Sequence, residues 1–290
     1  MKKILFSLLL LIGVSGCTQL NLDTSKVDVQ EKEGSFTPNE NTLVAHFIDV
    51  GQGDANFLEL PNGDVMLIDA GIASSGDDIV EYIKDLGYTD IDYVIATHPH
   101  ADHIGGMSEV IEAFDVGIIY MPKAVSTSKT YENLLETIKE KGKSIHTGRE
   151  GVEVLNEDNL TIEMLAPVSE DYSNLNDYSI VLKITYGDVS FLYTGDAEET
   201  NLSEITKDLS ADVLKVGHHG SDTSTTDEFL AKVNPSYAVI SVGEGNSYGH
   251  PAESTINLLK EYTNSIYRTD LNGTVIIRSD GVNIEVETER

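Results

Sequence analysis

The sequence is constrained above all by one short segment, Thr97-His98-Pro99-His100-Ala101-Asp102-His103. It places three imidazoles and one carboxylate within six consecutive positions, between an apolar strand predicted over Asp92–Ala96 and a helix predicted to run through Phe114. Nitrogen and oxygen ligands of this kind suit divalent metals of borderline character. Residues that alternate along an extended turn can face one metal, and the pair at the start of the helix can face a second. The segment therefore predicts two metal sites at the end of a strand.

Short strands and amphipathic helices alternate along the rest of the chain. Strands are predicted at Val44–Asp49, Val65–Asp69, Leu160–Leu165, Ser179–Tyr186, Val189–Tyr193, Val213–Val216, Tyr237–Ser241, Ile266–Arg268, Gly273–Arg278 and Val282–Glu287. Helices are predicted at Asp77–Leu86, Thr225–Val233 and Glu253–Tyr262, with a further strand–helix–strand passage over Val116–Ile145. Because these helices can cover only the outside of two strand-rich halves, we predict an α/β fold. Its expected form is an αββα sandwich of two mixed β-sheets with helices on the outer faces.

The first 17 residues have the three-part organisation of a bacterial lipoprotein signal. Lys2 and Lys3 precede an apolar run, and Val14-Ser15-Gly16-Cys17 resembles a lipobox. We therefore predict a signal peptide over residues 1–16, a flexible polar stalk over 17–41 with lipid on Cys17, and one hydrolase domain over 42–290. A cleaved signal that happens to end beside a cysteine is the alternative, although the chain has only one cysteine.

These assignments predict an extracytoplasmic protein, held on the outer face of the cell membrane by its N-terminal lipid. The membrane is one expected partner and a substrate is the other; no protein partner is predicted. The net charge of −30 gives the chain no global basic footprint of the kind that nucleic-acid binders usually carry. An acidic surface repels phosphate polymers at long range, although salt screens this repulsion beyond about 8–10 Å. A solvated acidic surface that keeps the protein soluble is the simplest explanation of the charge.

The histidine-rich segment also resembles the signature of a known family, the metallo-β-lactamase fold. Three further segments match that fold: Leu67 to Gly71 with its Asp69, Tyr193 to Asp196, and Val216 to Ser221. More narrowly, the chain resembles the extracellular metallo-β-lactamase domain of ComEC-type DNA-uptake proteins and their stand-alone relatives. The segments that carry this likeness are Phe47 to Ala55, Leu175 to Val181, His218-His219-Gly220-Ser221 and Tyr248-Gly249-His250-Pro251. The resemblance extends over Val44–Thr274.

The resemblance implies a site with two divalent metal ions. Its ligands would be His98 and His100 for the first ion, Asp102, His103 and His219 for the second, and Asp196 as a bridge, with Asp69 supporting them from behind. The adjacent His218 is the alternative to His219 as the late histidine ligand. Many hydrolases of this fold carry another histidine before the bridging aspartate, whereas this chain has Asn176-Asp177 in the corresponding segment. Asp177 is then an oxygen ligand of the first ion, or Asn176 holds water or substrate. An oxygen ligand there keeps both Zn²⁺ and Mn²⁺ open, and His46 and His146 are predicted to be structural.

A pair of metal ions suits attack on a phosphodiester. Ions about 3.5–4 Å apart lower the pKa of a shared water towards ~7 and neutralise charge on the attacked group. The predicted catalytic residues are Asp102, His218 and His250, where the two histidines bind phosphoryl oxygens or protonate the leaving group. Asn176, Ser221 and His250 are the predicted substrate contacts.

The resemblance implies DNA as the substrate, so a metal-dependent phosphodiesterase or nuclease is the main hypothesis. A phosphodiesterase of cell-wall polymers, acting for example on phosphorylcholine esters, is the first alternative, and the acidic surface favours its cationic headgroup weakly. A β-lactamase or lactonase is disfavoured by the ComEC-like segments. A non-catalytic metal-binding surface lipoprotein is the second alternative, but a storage site needs neither an open coordination position nor a proton donor.

Overall fold

The computed structural model describes residues 41–290, in which the strands form two sheets. The predicted signal peptide, Cys17 and the stalk before residue 41 lie outside the described residues. In chain order the strands are β1 Leu43–Phe47, β2 Ala55–Glu59, β3 Val65–Ala70, β4 Asp90–Ile95, β5 Asp115–Met121, β6 Ile145–Thr147, β7 Glu153–Glu157, β8 Leu160–Ala166, β9 Val181–Tyr186, β10 Val189–Tyr193, β11 Val213–Lys215, β12 Tyr237–Ile240, β13 Ser265–Arg268, β14 Val275–Ser279 and β15 Ile284–Thr288.

Each sheet combines an antiparallel part with a parallel part. The first sheet has the order β15-β14-β1-β2-β3-β4-β5-β6, and the second has the order β13-β12-β11-β10-β9-β8-β7. Strands β3 to β6 run parallel in the first sheet, as do β10 to β13 in the second. The C-terminal hairpin β14–β15 joins the first sheet beside β1, with Leu43 opposite Ser279. Both sheets are therefore mixed, as predicted.

Helices cover the outer face of each sheet. They are α1 Gly76–Asp85, α2 Ala101–Ile104, α3 Met107–Ala113, α4 Lys129–Glu140, α5 Glu199–Glu204, α6 Asp227–Val233, α7 Glu253–Tyr262 and α8 Thr269–Asn272. Helix α6 illustrates how the sequence sets the limits of a helix. The Thr226 hydroxyl accepts the N–H of Phe229 at 3.2 Å, and Asn234 ends the helix in the left-handed conformation.

Three layers of apolar side chains hold these elements together. The central layer lies between the sheets and includes Phe47 stacked on Tyr193, with ring centroids 5.7 Å apart. A second layer packs α1, α3 and α4 onto the first sheet, and a third packs α5, α6 and α7 onto the second. Strand β3 is buried on both faces, which is why its sequence is a continuous apolar run rather than an alternating pattern. The predicted αββα sandwich is confirmed.

The predicted elements differ from the observed ones in a few places. Strands β2 and β7 and helices α5 and α8 were not among the predicted elements. The single helix predicted through Phe114 is divided into α2 and α3 at Gly105-Gly106. A Cβ on Gly105 would lie 2.4 Å from the carbonyl oxygen of Ala101 and from the nitrogen of Ala73, so the chain passes there too closely for a side chain. Within residues 41–290, no helix has the length and apolar character needed to cross a membrane.

Candidate metal centre

Six side chains from the two sheets meet at one edge of the sandwich. Their potential ligand atoms form two groups, and within each group these atoms lie within 4.8 Å of one another. One group contains His98, His100 and Asp196, and the other contains Asp102, His103, Asp196 and His219. Asp196 belongs to both groups, so it occupies the position that a bridging ligand requires.

The ligands lie where parallel strands end. His98 and His100 follow β4, while Asp102 and His103 form the first turn of α2. From the second sheet, Asp196 follows β10 and His219 follows β11. Each sheet thus contributes one part of the cluster, at the carboxyl ends of its parallel strands, where α/β proteins usually build their sites.

The potential metal-ligand atoms face one another, and several of them have no hydrogen-bond partner. His103 Nε2 lies 3.1 Å from Asp196 Oδ1, and His219 Nε2 lies 3.3 Å from Asp102 Oδ2. His103 Nε2, His219 Nε2 and Asp196 Oδ1 are buried and have no hydrogen-bond partner. Buried polar atoms are normally paired, and imidazole and carboxylate atoms that converge without partners are what a metal ion would satisfy. These residues fit two divalent ions.

A further set of contacts fixes the other nitrogen of each buried ligand histidine. His103 Nδ1 lies 2.7 Å from Asp69 Oδ2, and His98 Nδ1 lies 3.2 Å from the Thr97 hydroxyl. Thr97 also donates its N–H and hydroxyl to Asp69, at 2.8 and 2.6 Å. With Nδ1 occupied in each ring, Nε2 is left to face the cluster, as in metal sites whose outer contacts orient the ligands. Asp69 therefore lies where the resemblance placed it, behind the ligands.

The electrostatics of the cluster keep its central carboxylate ionised. Burial alone would raise the pKa of Asp196, but His103 and His219 hold that pKa well below its ordinary value. Burial lowers the pKa of His98 well below its ordinary range, and the neighbouring His103 lowers it further. Burial also acts to lower the pKa of His219, yet Asp196 and Asp102 raise it to about 10. The charged form of Asp196 is the form that can bind a metal.

A cavity of about 300 Å³ opens over this cluster. It is lined by Gln52, His100, Ala101, Asp102, His219, Tyr248 and His250. Tyr248 is 68% exposed and forms part of the rim. Asn246 anchors the backbone of His250 from both sides, accepting its N–H at 3.1 Å and donating to its carbonyl at 2.6 Å. The cluster is thus open to a ligand of moderate size, with His250 held beside it.

The adjacent histidines 218 and 219 diverge because both adopt left-handed backbone conformations, with φ of 50° and 53°. Such φ values are uncommon outside glycine and mark functional sites when they recur. His219 enters the cluster, whereas His218 Nδ1 lies 3.2 Å from Glu198 Oε1 and its Nε2 lies 3.8 Å from Asp196 Oδ2. Glu198 is held in turn by the side-chain amides of Asn174 and Asn176, each at 3.0 Å.

Three predicted site residues are in neither ligand group. The Asp177 carboxylate accepts the N–H of Asn201 in α5 at 3.3 Å, and Asp177 is in neither ligand group. Asn176 donates its side-chain amide to Glu198 at 3.0 Å, and its Oδ1 is buried without a hydrogen-bond partner. The buried Ser221 hydroxyl contacts Thr223 at 3.0 Å. An oxygen ligand from the Asn176-Asp177 segment is therefore not supported by the geometry, and the argument for Mn²⁺ that rested on it is weakened.

The two histidines predicted to be structural have contacts away from the cluster. His46 lies 2.8 Å from the Tyr82 hydroxyl and 2.9 Å from Glu59. The ring of His146 lies 5.7 Å from that of Tyr120.

Sequence reasoning also missed several residues that contact the ligands from outside. The sequence pattern does not identify Glu198, Lys215 or Ser241 as site residues, and Asp54 lies only within a segment that carries the family resemblance. Ser241 accepts from His219 Nδ1 at 3.0 Å through its backbone carbonyl, which no side-chain pattern could have revealed. Lys215 offered one signal, since a lysine inside an otherwise apolar strand needs a buried partner.

The chain therefore has the architecture of a metal-dependent hydrolase fold: two facing mixed sheets with a cluster of histidines and aspartates at one edge. The chain belongs to the Metallo-beta-lactamase superfamily, whose family model matches residues 48–244.

The relatives of this chain include named competence proteins. ComE operon protein 3 of Bacillus subtilis (strain 168) is 32% identical over 251 residues, which cover 80% of this chain and 32% of that protein. Recombination protein 2 of Haemophilus influenzae is 30% identical over 249 residues, or 84% of this chain and 30% of that protein. Competence protein ComA of Neisseria gonorrhoeae is 28% identical over 240 residues, or 81% of this chain and 32% of that protein. The chain spans about a third of the length of these relatives, and the predicted resemblance to competence proteins is confirmed.

Solved structures share the fold at low sequence identity. CmlA, a diiron β-hydroxylase from Streptomyces venezuelae, superposes with a TM-score of 0.53 at 15% identity, over 84% of this chain and 54% of that one. Tm1679, a metal-dependent hydrolase of the β-lactamase superfamily, gives a TM-score of 0.51 at 14% identity, over 78% of this chain and 94% of that one. At these identities the likeness establishes the fold alone.

Proposed function

We propose that this protein is a lipid-anchored, extracytoplasmic phosphodiesterase that depends on two divalent metal ions and cleaves nucleic-acid strands. The observation that carries the proposal is the cluster of six potential ligands, shared between two groups through Asp196 and open to a cavity of about 300 Å³. Two relatives whose names refer to competence and recombination, both processes of DNA, support a nucleic-acid substrate.

The donor set suits Zn²⁺ and is compatible with Mn²⁺, because it mixes imidazole with carboxylate. His98, His100 and Asp196 would hold one ion, and Asp102, His103, Asp196 and His219 would hold the other. When bound, the ions would supply an activated water and neutralise charge on the phosphoryl group.

The remaining residues of the site would bind and orient the substrate. His218, with its Nδ1 held by Glu198, presents Nε2 towards the cluster and can hydrogen-bond a phosphoryl or leaving-group oxygen there. His250 has a buried Nδ1 without a hydrogen-bond partner, and its ring packs 5.5 Å from that of His218. These two rings form one wall beside the ligands, which supports their predicted part in catalysis.

A second candidate is a phosphodiesterase of cell-wall polymers. Two observations favour it over a nuclease: the net charge is −30, and the residues that line the described cavity include neither lysine nor arginine. A nucleic acid usually meets basic side chains along its backbone, whereas a substrate with one phosphodiester and a cationic headgroup has no need of them. The exposed Tyr248 at the rim could contact either a base or such a headgroup.

The test is hydrolysis of bis(p-nitrophenyl) phosphate by the full-length protein, first stripped of metal and then resupplied with Zn²⁺ or Mn²⁺. Turnover should return with metal and should be lost in Asp102→Asn. Asp208→Asn is the matched control, because Asp208 pairs with Lys183 away from the cluster and should retain activity. Stoichiometric metal binding without turnover would contradict phosphodiesterase chemistry, and comparison of single-stranded DNA with a choline-bearing polymer separates the two candidates.

A further inference from the structure

A fully buried ion pair connects the two sheets directly behind the ligand cluster. Lys215 Nζ lies 2.7 Å from Asp54 Oδ2, and both side chains are 1% exposed. Asp54 immediately precedes β2 of the first sheet, whereas Lys215 is the last residue of β11 in the second. The pair therefore connects the start of β2 in the first sheet to the end of β11 in the second. Each of these sheets supplies one part of the ligand set.

Asp54 contacts the ligands themselves with its remaining atoms. Its Oδ1 lies 3.2 Å from His219 Nδ1, whose hydrogen bond goes to the Ser241 carbonyl at 3.0 Å. Its N–H donates to the carbonyl of Asp102 at 3.1 Å. One carboxylate oxygen thus contacts the lysine and the other contacts a ligand histidine, while the backbone of the same residue holds a ligand aspartate. A change in the position of Asp54 would displace a ligand on each sheet.

Lys215 is also held on the side of the second sheet. Its Nζ donates at 3.0 Å to the carbonyl of Val216, the first residue after β11 on the way to His219. The chain before Asp54 is fitted equally closely, since a Cβ on Gly53 would lie 2.5 Å from the Asp102 carbonyl oxygen. The contact between Asp54 and the backbone of Asp102 therefore depends on a glycine.

Stability alone gives little reason to bury two charges here. Removing two ions from water costs several kcal/mol each, so a buried pair is often no more stabilising than apolar side chains of the same size. The ion pair between Lys183 and Asp208 on the same sheet avoids most of this cost, because Asp208 is 72% exposed. The Asp54–Lys215 pair has no such exposure, and its contacts are directed at the ligands.

We propose that the Asp54–Lys215 pair is a positioning device for the metal centre. It sets the separation between the ligands of the first sheet and those of the second. Together with the Ser241 carbonyl, it also orients the His219 ring so that Nε2 faces Asp102 and Asp196. The inference rests on the proposed two-metal site. Outer contacts of this kind typically change metal affinity by about 10- to 100-fold when they are removed.

The experiment measures Zn²⁺ affinity of the full-length protein by competition with a chromophoric chelator. Asp54→Asn and Lys215→Met should each weaken one of two bound ions by about 10- to 100-fold. The double variant should be no weaker than the worse single variant, because the two residues act as a unit. Lys183→Met, which removes a buried lysine of the same sheet outside the site, should bind both ions as the unmodified protein does.

A spectroscopic measurement separates positioning from general damage. The absorption spectrum of the Co²⁺-substituted protein reports ligand number and geometry, so it should change in Asp54→Asn and Lys215→Met but not in Lys183→Met. If a single variant fails to fold because one charge is left unpaired, the double variant, which buries no unpaired charge, decides the question.

The outcomes distinguish this inference from the proposed function. An unmodified protein that binds no Zn²⁺ would overturn the two-metal site and the inference with it. An unmodified protein that binds two ions, together with variants whose affinity and Co²⁺ spectrum are unchanged, would overturn only the positioning role. A double variant that cannot fold would also overturn it, in favour of a purely structural pair.

Discussion

Removing the Glu198 carboxylate should slow catalysis while leaving metal binding intact. Glu198 Oε1 lies 3.2 Å from His218 Nδ1 and is the carboxylate that orients this ring, so Glu198→Ala leaves His218 without it. A partly exposed pair of this kind contributes about 0.2–1 kcal/mol, and the two side chains are 23% and 21% exposed. At about 1.4 kcal/mol per factor of ten, kcat should fall by up to about 5-fold.

Substrates with different leaving groups test whether His218 acts on the leaving-group oxygen. p-Nitrophenolate departs with little help from an acid, whereas a nucleoside alkoxide needs a proton or a hydrogen bond from the enzyme. The loss in kcat should therefore be larger for a dinucleotide substrate than for bis(p-nitrophenyl) phosphate, with Zn²⁺ affinity unchanged. Glu204→Ala is the control, since Glu204 contacts Ser169 and Tyr172 at the end of the neighbouring helix. Equal losses for both substrates, or none, would refute this role of Glu198.

Three further predictions concern other parts of the chain. Gly53→Ala should weaken metal binding, measured by chelator competition, because its Cβ would lie 2.5 Å from the Asp102 carbonyl oxygen; unchanged affinity would show that the loop relaxes without cost. Glu59→Gln should destabilise the fold near neutral pH but not in strong acid. The hydrogen bond from His46 holds the pKa of Glu59 below its ordinary value, so its contribution is present above the unfolded-state pKa and disappears as pH falls through the folded-state pKa. Denaturant melts at several pH values measure this, and a pH-independent difference would contradict it. Cys17→Ser should shift the protein from the membrane fraction to the soluble fraction, and retention in the membrane fraction would remove the lipid anchor from the proposal.

The sequence was sufficient to predict the layers of the fold and most of the metal centre. His98, His100, Asp102 and His103 lie so close together in the chain that one local segment determines their proximity. Strand β2 was missed even though Asn62-Gly63, in the five-residue connection to β3, is a turn signal that indicates a hairpin.

The predictions differ from the structure where the role of a residue depends on the direction of its side chain rather than on its type. Asn176 and Asp177 occupy a short 3₁₀ turn, and the pattern of residue types does not reveal which way their side chains face. The structure directs Asp177 at α5 and Asn176 at Glu198. The predicted choice of His219 over His218 agrees with the structure, where His219 is in the ligand group. The divergence of the two rings depends on two successive left-handed residues, a conformation that propensity alone would not predict.

The pairing of the last strands with the first has a consequence for biogenesis. Strand β1 lies between β2 and β14, so one of its two edges is covered only by residues from the far end of the chain. Until residues 275–279 have emerged, that edge presents unpaired N–H and C=O groups that can recruit another strand. Contacts between such distant parts of a chain also form slowly. A polypeptide whose synthesis stops before residue 275 would therefore be prone to aggregation. A chaperone would be most useful in the time between the folding of β1 and the docking of the C-terminal hairpin.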